Sequence, residues 1–85
     1  MSIIKLYANL RNLAGTKELS ITGANLGAVL NELIQQYPAL DGVILESGQV
    51  RPHFVISING HNTTDLDVPV TEQDVIAIFP PIAGG

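Results

Sequence analysis

Asn25-Leu26-Gly27-Ala28-Val29-Leu30-Asn31-Glu32-Leu33-Ile34-Gln35-Gln36-Tyr37-Pro38 carries apolar side chains at Leu26, Val29, Leu30, Leu33, Ile34 and Tyr37, one face of a 3.6-residue period. The pattern predicts an amphipathic helix, with Asn25 as N-cap and Pro38 as its stop. On both sides of it the period is 2. Ser2 to Ala8 alternates, with Ile4, Leu6 and Ala8 on one face and Ile3, Lys5 and Tyr7 on the other, and Lys17 to Thr22 alternates with Leu19 and Ile21 inward. Asn9 to Thr16 reads as the connection that returns the second strand antiparallel to the first.

Beyond the helix, His53 to Asn59 places Phe54, Ile56 and Ile58 on one face and His53, Val55 and Ser57 on the other, and Asn59-Gly60 is a turn signal. Leu66 to Val70 reads as a short edge strand limited by Pro69. Asp74 to Phe79 reads as a strand buried on both faces. Between them and the helix, residues 38–52 hold Val43-Ile44-Leu45 flanked by Asp41-Gly42 and Ser47-Gly48, which suggests a helical turn or bend over the edge of the core. The expected class is α+β: a mixed sheet of four or five strands crossed by one main helix, with the first and last strands parallel at its centre. That is the β-grasp arrangement. A ferredoxin-like fold, ranked second, would need a second helix of at least two turns, which only residues 38–52 could supply.

Eighty-five residues suffice for one domain, and leave no room for a two-domain enzyme. The chain has no cysteine, hence neither a disulfide framework nor a thiol nucleophile. It is 46% hydrophobic and only 14% charged, with a mean hydropathy of +0.30. Average chains carry about 25% charged residues, so a surplus of apolar surface is expected, in contact with water or with a partner. A net charge of −4, with Lys5, Arg11, Lys17 and Arg51 scattered along the chain, argues against nucleic acid and favours a neutral or basic partner surface. No apolar run is long enough to cross a membrane, and Met1 to Lys5 lacks a signal-peptide layout. A soluble cytoplasmic protein is expected.

Catalytic apparatus is not visible. His53 and His61 fit neither a helical i, i+4 metal pair nor one strand face, and read as solvated side chains. Asp65 and Asp67 lack the further oxygen ligands a cation needs and read as a polar turn. No metal and no bound cofactor are expected, and no glycine-rich phosphate loop occurs. The chemistry-bearing feature is the end of the chain, Phe79-Pro80-Pro81-Ile82-Ala83-Gly84-Gly85. Pro80-Pro81 cannot continue a central strand and directs the last residues away from the body. Ile82 is the one large anchor of this arm. Gly84 and Gly85 have no Cβ, so the α-carboxylate can enter a channel too narrow for other residues. The expected organisation is a body of residues 1–79 and an extended arm of residues 80–85.

The tail from Ile76 to Gly85, the segment Tyr7-Ala8-Asn9-Leu10-Arg11-Asn12-Leu13-Ala14-Gly15 and the Asn59-Gly60 turn together resemble the MoaD/ThiS family of ubiquitin-like sulfur carriers. The Phe-Pro-Pro run resembles MoaD-type members, the small subunit of molybdopterin synthase. The resemblance implies a β-grasp domain whose Gly85 carboxylate is adenylated by a MoeB-type enzyme that consumes ATP, then thiolated by a sulfur donor through a persulfide. The Pro80 to Gly85 arm would insert into a MoaE-type large subunit, where the thiocarboxylate gives its sulfur to a pterin precursor. No proteolytic maturation is expected, since Gly84-Gly85 already ends the sequence. Val55, Ile78 and Phe79 would form the docking surface. The reactive group is the terminus, so no catalytic side chain is implied. Relatives that serve cysteine or thiamine synthesis, or that modify lysines, share the Gly-Gly ending. Family members often carry Gly-Asp before the last strand; here Thr71-Glu72-Gln73-Asp74 keeps only the acid, a change expected to matter for the turn alone.

Overall fold

The computed structural model describes residues 1–81. Strand β1 (Ser2–Leu6) is followed by helix α1 (Asn9–Ala14), strand β2 (Glu18–Ile21) and helix α2 (Leu26–Gln36). A 3₁₀ turn at Pro38–Leu40 then leads to β3 (Leu45–Glu46), β4 (Gln49–Val50), β5 (Val55–Ile58), β6 (His61–Asn62) and β7 (Val75–Phe79). Five strands form one sheet in the order β2-β1-β7-β5-β6, and β3 pairs with β4 alone. β1 runs antiparallel to β2 and parallel to β7, with Leu6 opposite Ile78; β5 runs antiparallel to β7, with Val55 opposite Phe79. This is the β-grasp arrangement expected from the pattern.

The alternation of β1 places Ile4 and Leu6 on the helix side, where they are fully buried with Ile21, Ile56, Ile76 and Ile78. The apolar face of α2 meets them through Leu26, Val29, Leu30 and Leu33, all without solvent exposure. The one buried polar residue among those described, Ser2, donates its hydroxyl to the Thr71 carbonyl at 2.8 Å. That bond removes the cost of an unpaired buried hydroxyl.

The first turn of α2 has its free N–H groups satisfied from two directions. Asn25 Oδ1 accepts from the Ala28 N–H at 2.8 Å, as its N-cap position requires. The carbonyls of Val68 and Leu66 accept from the N–H groups of Leu26 and Gly27, at 3.0 and 2.8 Å. A Cβ on Gly27 would stand 3.2 Å from the Leu66 carbonyl oxygen, so glycine keeps this close approach open. These bonds also correct one expectation. Leu66 to Val70 is not an edge strand, because its carbonyls are spent on the helix terminus and only Asn25 and Pro69 form an isolated bridge. The edge strand is His61–Asn62, joined to β5 through Asn59 and Gly60, both at positive φ in a two-residue turn. Replacing Asn25 by Ala is expected to cost about 1 kcal/mol, read as a lowered urea midpoint with unchanged slope.

Two other connections differ from their readings. Asn9 to Thr16 is not an open loop: Asn9–Ala14 forms helix α1, which buries Leu10 and ends where the Gly15 N–H reaches the Arg11 carbonyl at 2.8 Å. Strand β1 correspondingly stops at Leu6, short of Ala8. Residues 38–52 do contain a helical turn, with Leu40 and Ile44 fully buried, but they also contain the β3–β4 hairpin. Ser47 (φ 52°) and Gly48 (φ 78°) turn that hairpin, and the glycine accepts the left-handed backbone at no steric cost.

Candidate functional site

The site is the root of the arm, where β7 ends at Phe79. Parallel pairing of β1 with β7 carries Tyr7, one residue past Leu6, alongside Phe79, one residue past Ile78. The two rings stack with centroids 4.4 Å apart and planes 14° off parallel. Such a pair adds about 0.5–1.5 kcal/mol beyond its buried area. The chain then reverses at Ala8, whose φ of 53° lies in the region that favours glycine. Backbone of this kind costs about 1–3 kcal/mol and persists only where surrounding contacts hold it. The reversal starts α1, and α1 brings the Arg11 guanidinium over the Tyr7 ring, 5.8 Å from its centroid.

Of the residues expected to dock a partner, Val55 and Phe79 are 41% and 37% exposed, side by side on the outer face of the sheet. Ile78 is not there. Side chains alternate along β7, so Ile78 points into the core with Ile76 and has no exposed surface. The outer face is completed by Ile3, 36% exposed, and by the partly covered Tyr7, which alternation had already put on that side. Pro80 and Pro81 are the described part of the arm and, with Asn9, Arg51, His53 and Phe54, line an open recess of about 480 Å³. Ile82, Ala83, Gly84 and Gly85 lie outside the described residues.

The histidines stand apart from one another in their surroundings. His53 lies at the recess beside the arm and His61 is exposed on β6. Among the described residues no group of three or more His, Asp or Glu side chains could hold a metal ion. Asp65 and Asp67 sit in a polar turn in which Asp65 Oδ1 accepts from the Asp67 N–H at 2.9 Å. Nor, among the described residues, is any helix long and apolar enough to cross a membrane.

Asp74, the acid kept in the turn before β7, ties two turns together. Its carboxylate accepts from the Thr71 N–H and from Asn59 Nδ2, both at 2.8 Å, while Asn59 Oδ1 accepts from the Val75 N–H at 2.9 Å. The turn before β7 is thereby tied to the turn after β5. The Thr71 N–H first, and the Asn59 amide next, hold the Asp74 carboxyl below its ordinary value of 3.8. The folded state therefore prefers the ionised form. Its stabilising contribution is complete above pH 3.8 and is lost as the pH falls from there through the lowered native value. Asp74→Asn is expected to flatten the acid limb of stability against pH below about 4, measured by urea unfolding from pH 2 to 7.

The model of the ThiS family matches residues 4–85. The chain belongs to the ThiS family. Its ThiS-type sequence is 33% identical to small archaeal modifier protein 3 of Haloferax volcanii, over 96% of both chains. It is also 33% identical to the molybdopterin synthase sulfur carrier subunit of Arabidopsis thaliana, over 96% of this chain and 80% of that one. The solution structure of small archaeal modifier protein 1 from Methanosarcina acetivorans superposes with a TM-score of 0.87 at 38% identity, over 99% of this chain and 95% of that one. This is a ubiquitin-like family of small sulfur carriers and modifiers, and the ThiS match runs through Gly84 and Gly85. Sequence reasoning named Phe79 and Val55 but missed Tyr7 and Arg11 as parts of the site. The signal for Tyr7 was available: parallel pairing of the first and last strands sets it level with Phe79.

Proposed function

We propose that this ThiS-family chain is a sulfur carrier whose reactive group is the α-carboxylate of Gly85, and that it serves molybdopterin synthesis as the small subunit of molybdopterin synthase. The observation that carries the reading is the Phe79-Pro80-Pro81 exit from the central strand, followed by Ile82-Ala83-Gly84-Gly85 within the family match. The 33% identity to a molybdopterin synthase sulfur carrier subunit supports this destination. A carboxylate is a poor acyl donor, so a MoeB-type partner first joins it to AMP and releases pyrophosphate from ATP. A persulfide from the sulfur donor then attacks the acyl carbon and AMP leaves. A thiol attacks the resulting acyl disulfide, forming a disulfide with the donor cysteine and freeing the thiocarboxylate. In a MoaE-type large subunit the sulfur passes to the pterin precursor and the carboxylate is regenerated. The chain's own part is to present the acyl group: Pro80 and Pro81 stiffen the exit, and the paired glycines keep the tip thin.

A second reading is favoured by the identities to archaeal modifier proteins, 33% and 38%. The same acyl-adenylate would there be attacked by a lysine Nε, giving an isopeptide bond. Carriage of sulfur for cysteine or thiamine synthesis uses the same thiocarboxylate and differs only in the acceptor. The test is intact-mass measurement after incubation with ATP, a MoeB-type enzyme and a sulfur donor. The expected product is heavier by the difference between a sulfur and an oxygen atom, and it supports molybdopterin formation when mixed with the large subunit and precursor. An unchanged mass overturns the carrier reading, while branched peptides joining Gly85 to target lysines would establish the modifier.

A further inference from the structure

The four cationic side chains are spread through the sequence, but the fold gathers three of them. Lys5 on β1, Arg11 on α1 and Lys17 just before β2 line one shallow recess of about 250 Å³ together with Leu6, Tyr7 and Glu18. All three are exposed. The pairing that brings them together is set by backbone: the Leu6 N–H donates to the Lys17 carbonyl at 2.9 Å, and Lys5 stands opposite Glu18. Of the eight acids in the chain only Glu18 lines the recess, leaving three cations against one carboxylate in a molecule of net charge −4. The one ion pair among the described residues joins Arg51 to Glu46 at 4.0 Å, so none of Lys5, Arg11 and Lys17 has a described carboxylate within that distance, and Glu18 is the single acid beside them. The recess is continuous with the arm root, since Tyr7 lines it and stacks on Phe79 while Arg11 lies over Tyr7.

We infer that this basic recess is a steering and specificity surface for an acidic protein patch, carried by the activating partner beside the channel that takes the arm. The inference rests on the carrier reading above for the identity of the partner. It replaces the expectation of a neutral or basic partner surface, which followed from net charge alone. What a docking partner meets first at the arm root is local positive charge within a Debye length of about 10 Å, not the chain's net charge. Three cations on an otherwise acidic molecule are too few to hold a phosphate backbone, so a protein carboxylate patch is the better match. Cation placement on the rim governs association rate, while the apolar Val55 and Phe79 beside it govern residence.

The experiment compares two double variants of equal net charge, Lys5→Gln with Lys17→Gln, and Gln35→Glu with Gln49→Glu. Both sets of positions are exposed. The lysine pair is expected to slow association with a MoeB-type adenylating enzyme about tenfold at low salt, with the gap closing near 1 M salt. The glutamine pair should leave the rate within about twofold, and acyl-adenylate formation at saturating carrier should be unchanged in both. Equal rates for the two variants, with wild type adenylated normally, overturn this inference and leave the carrier reading standing. In a partner-free arm, hexaglutamate peptide is titrated into the full ¹⁵N-labelled chain. Shifts concentrated at Lys5, Tyr7, Arg11, Lys17 and Phe79 support the recess even if no enzyme adenylates the chain, an outcome that sinks the carrier reading alone. Shifts centred elsewhere, or tighter binding of single-stranded RNA than of the peptide at the same salt, overturn it.

Discussion

Removal of Gly84 and Gly85 is expected to abolish activation and sulfur loading while leaving the thermal midpoint where it was. The truncated arm would end in the Ala83 carboxylate, still an acyl group, but drawn back by about 7 Å, since each extended residue spans about 3.3–3.6 Å. An acyl carbon displaced by several ångströms is out of line with any nucleotide phosphate positioned for the full arm. The new terminal residue also carries a Cβ where the wild type has none. Among the described residues every core side chain lies upstream of Pro80, and the central strand ends at Phe79, so the fold has no described contact to lose. ATP–pyrophosphate exchange with the adenylating partner is the readout, with melting as the control. Exchange at the wild-type rate by the truncated chain would exclude Gly85 as the reactive residue.

Ile78→Ala is expected to lower stability by about 2–5 kcal/mol, a large share of the 5–15 kcal/mol available to a small domain. Ile78 sits on the central strand between β1 and β5, has no exposure, and belongs to the same buried cluster as Leu30 and Leu33 of α2. Truncation there opens a cavity that neighbours on both sides cannot fill without moving. At about 4–8 °C per kcal/mol for a chain of this length, the melting temperature should fall by well over 10 °C for a loss of about 3 kcal/mol. Phe79→Ala, one residue on, removes a ring that is 37% exposed and should cost less stability and more partner affinity. A small loss of melting temperature in Ile78→Ala with a large loss of partner binding would return Ile78 to the interface and contradict the core assignment.

Local periodicity was sufficient for the main helix, its Asn25 cap, and the inward faces of β1, β2 and β5, because each signal lies within about ten neighbouring residues. Helix α1 escaped the same reading since six residues hold too little of a 3.6-residue period, although Leu10, Leu13 and Gly15 were spaced for a turn and its cap. The stretch Leu66 to Val70 has the composition of a strand, and what makes it otherwise is distant: the free N–H groups of Leu26 and Gly27 take its carbonyls. Ile78 was misplaced at the interface for a simpler reason. A strand reading leaves open which of two adjacent residues faces out until its neighbours' faces are matched, and the Ile56–Ile78 pairing settles it.

From the sequence alone came the β-grasp class, the end of the central strand before Pro80, and the expectation that the glycine pair bears the chemistry, since each depends on residue type and local spacing. The tertiary structure alone decided the electrostatics of the arm root. Lys5, Arg11 and Lys17 look dispersed along a net acidic chain, and they converge only because β1 pairs with β2 on one side while α1 folds back over Tyr7. Coulomb interactions follow distance in space, and no reading of spacing along a chain supplies that distance before the strands are paired.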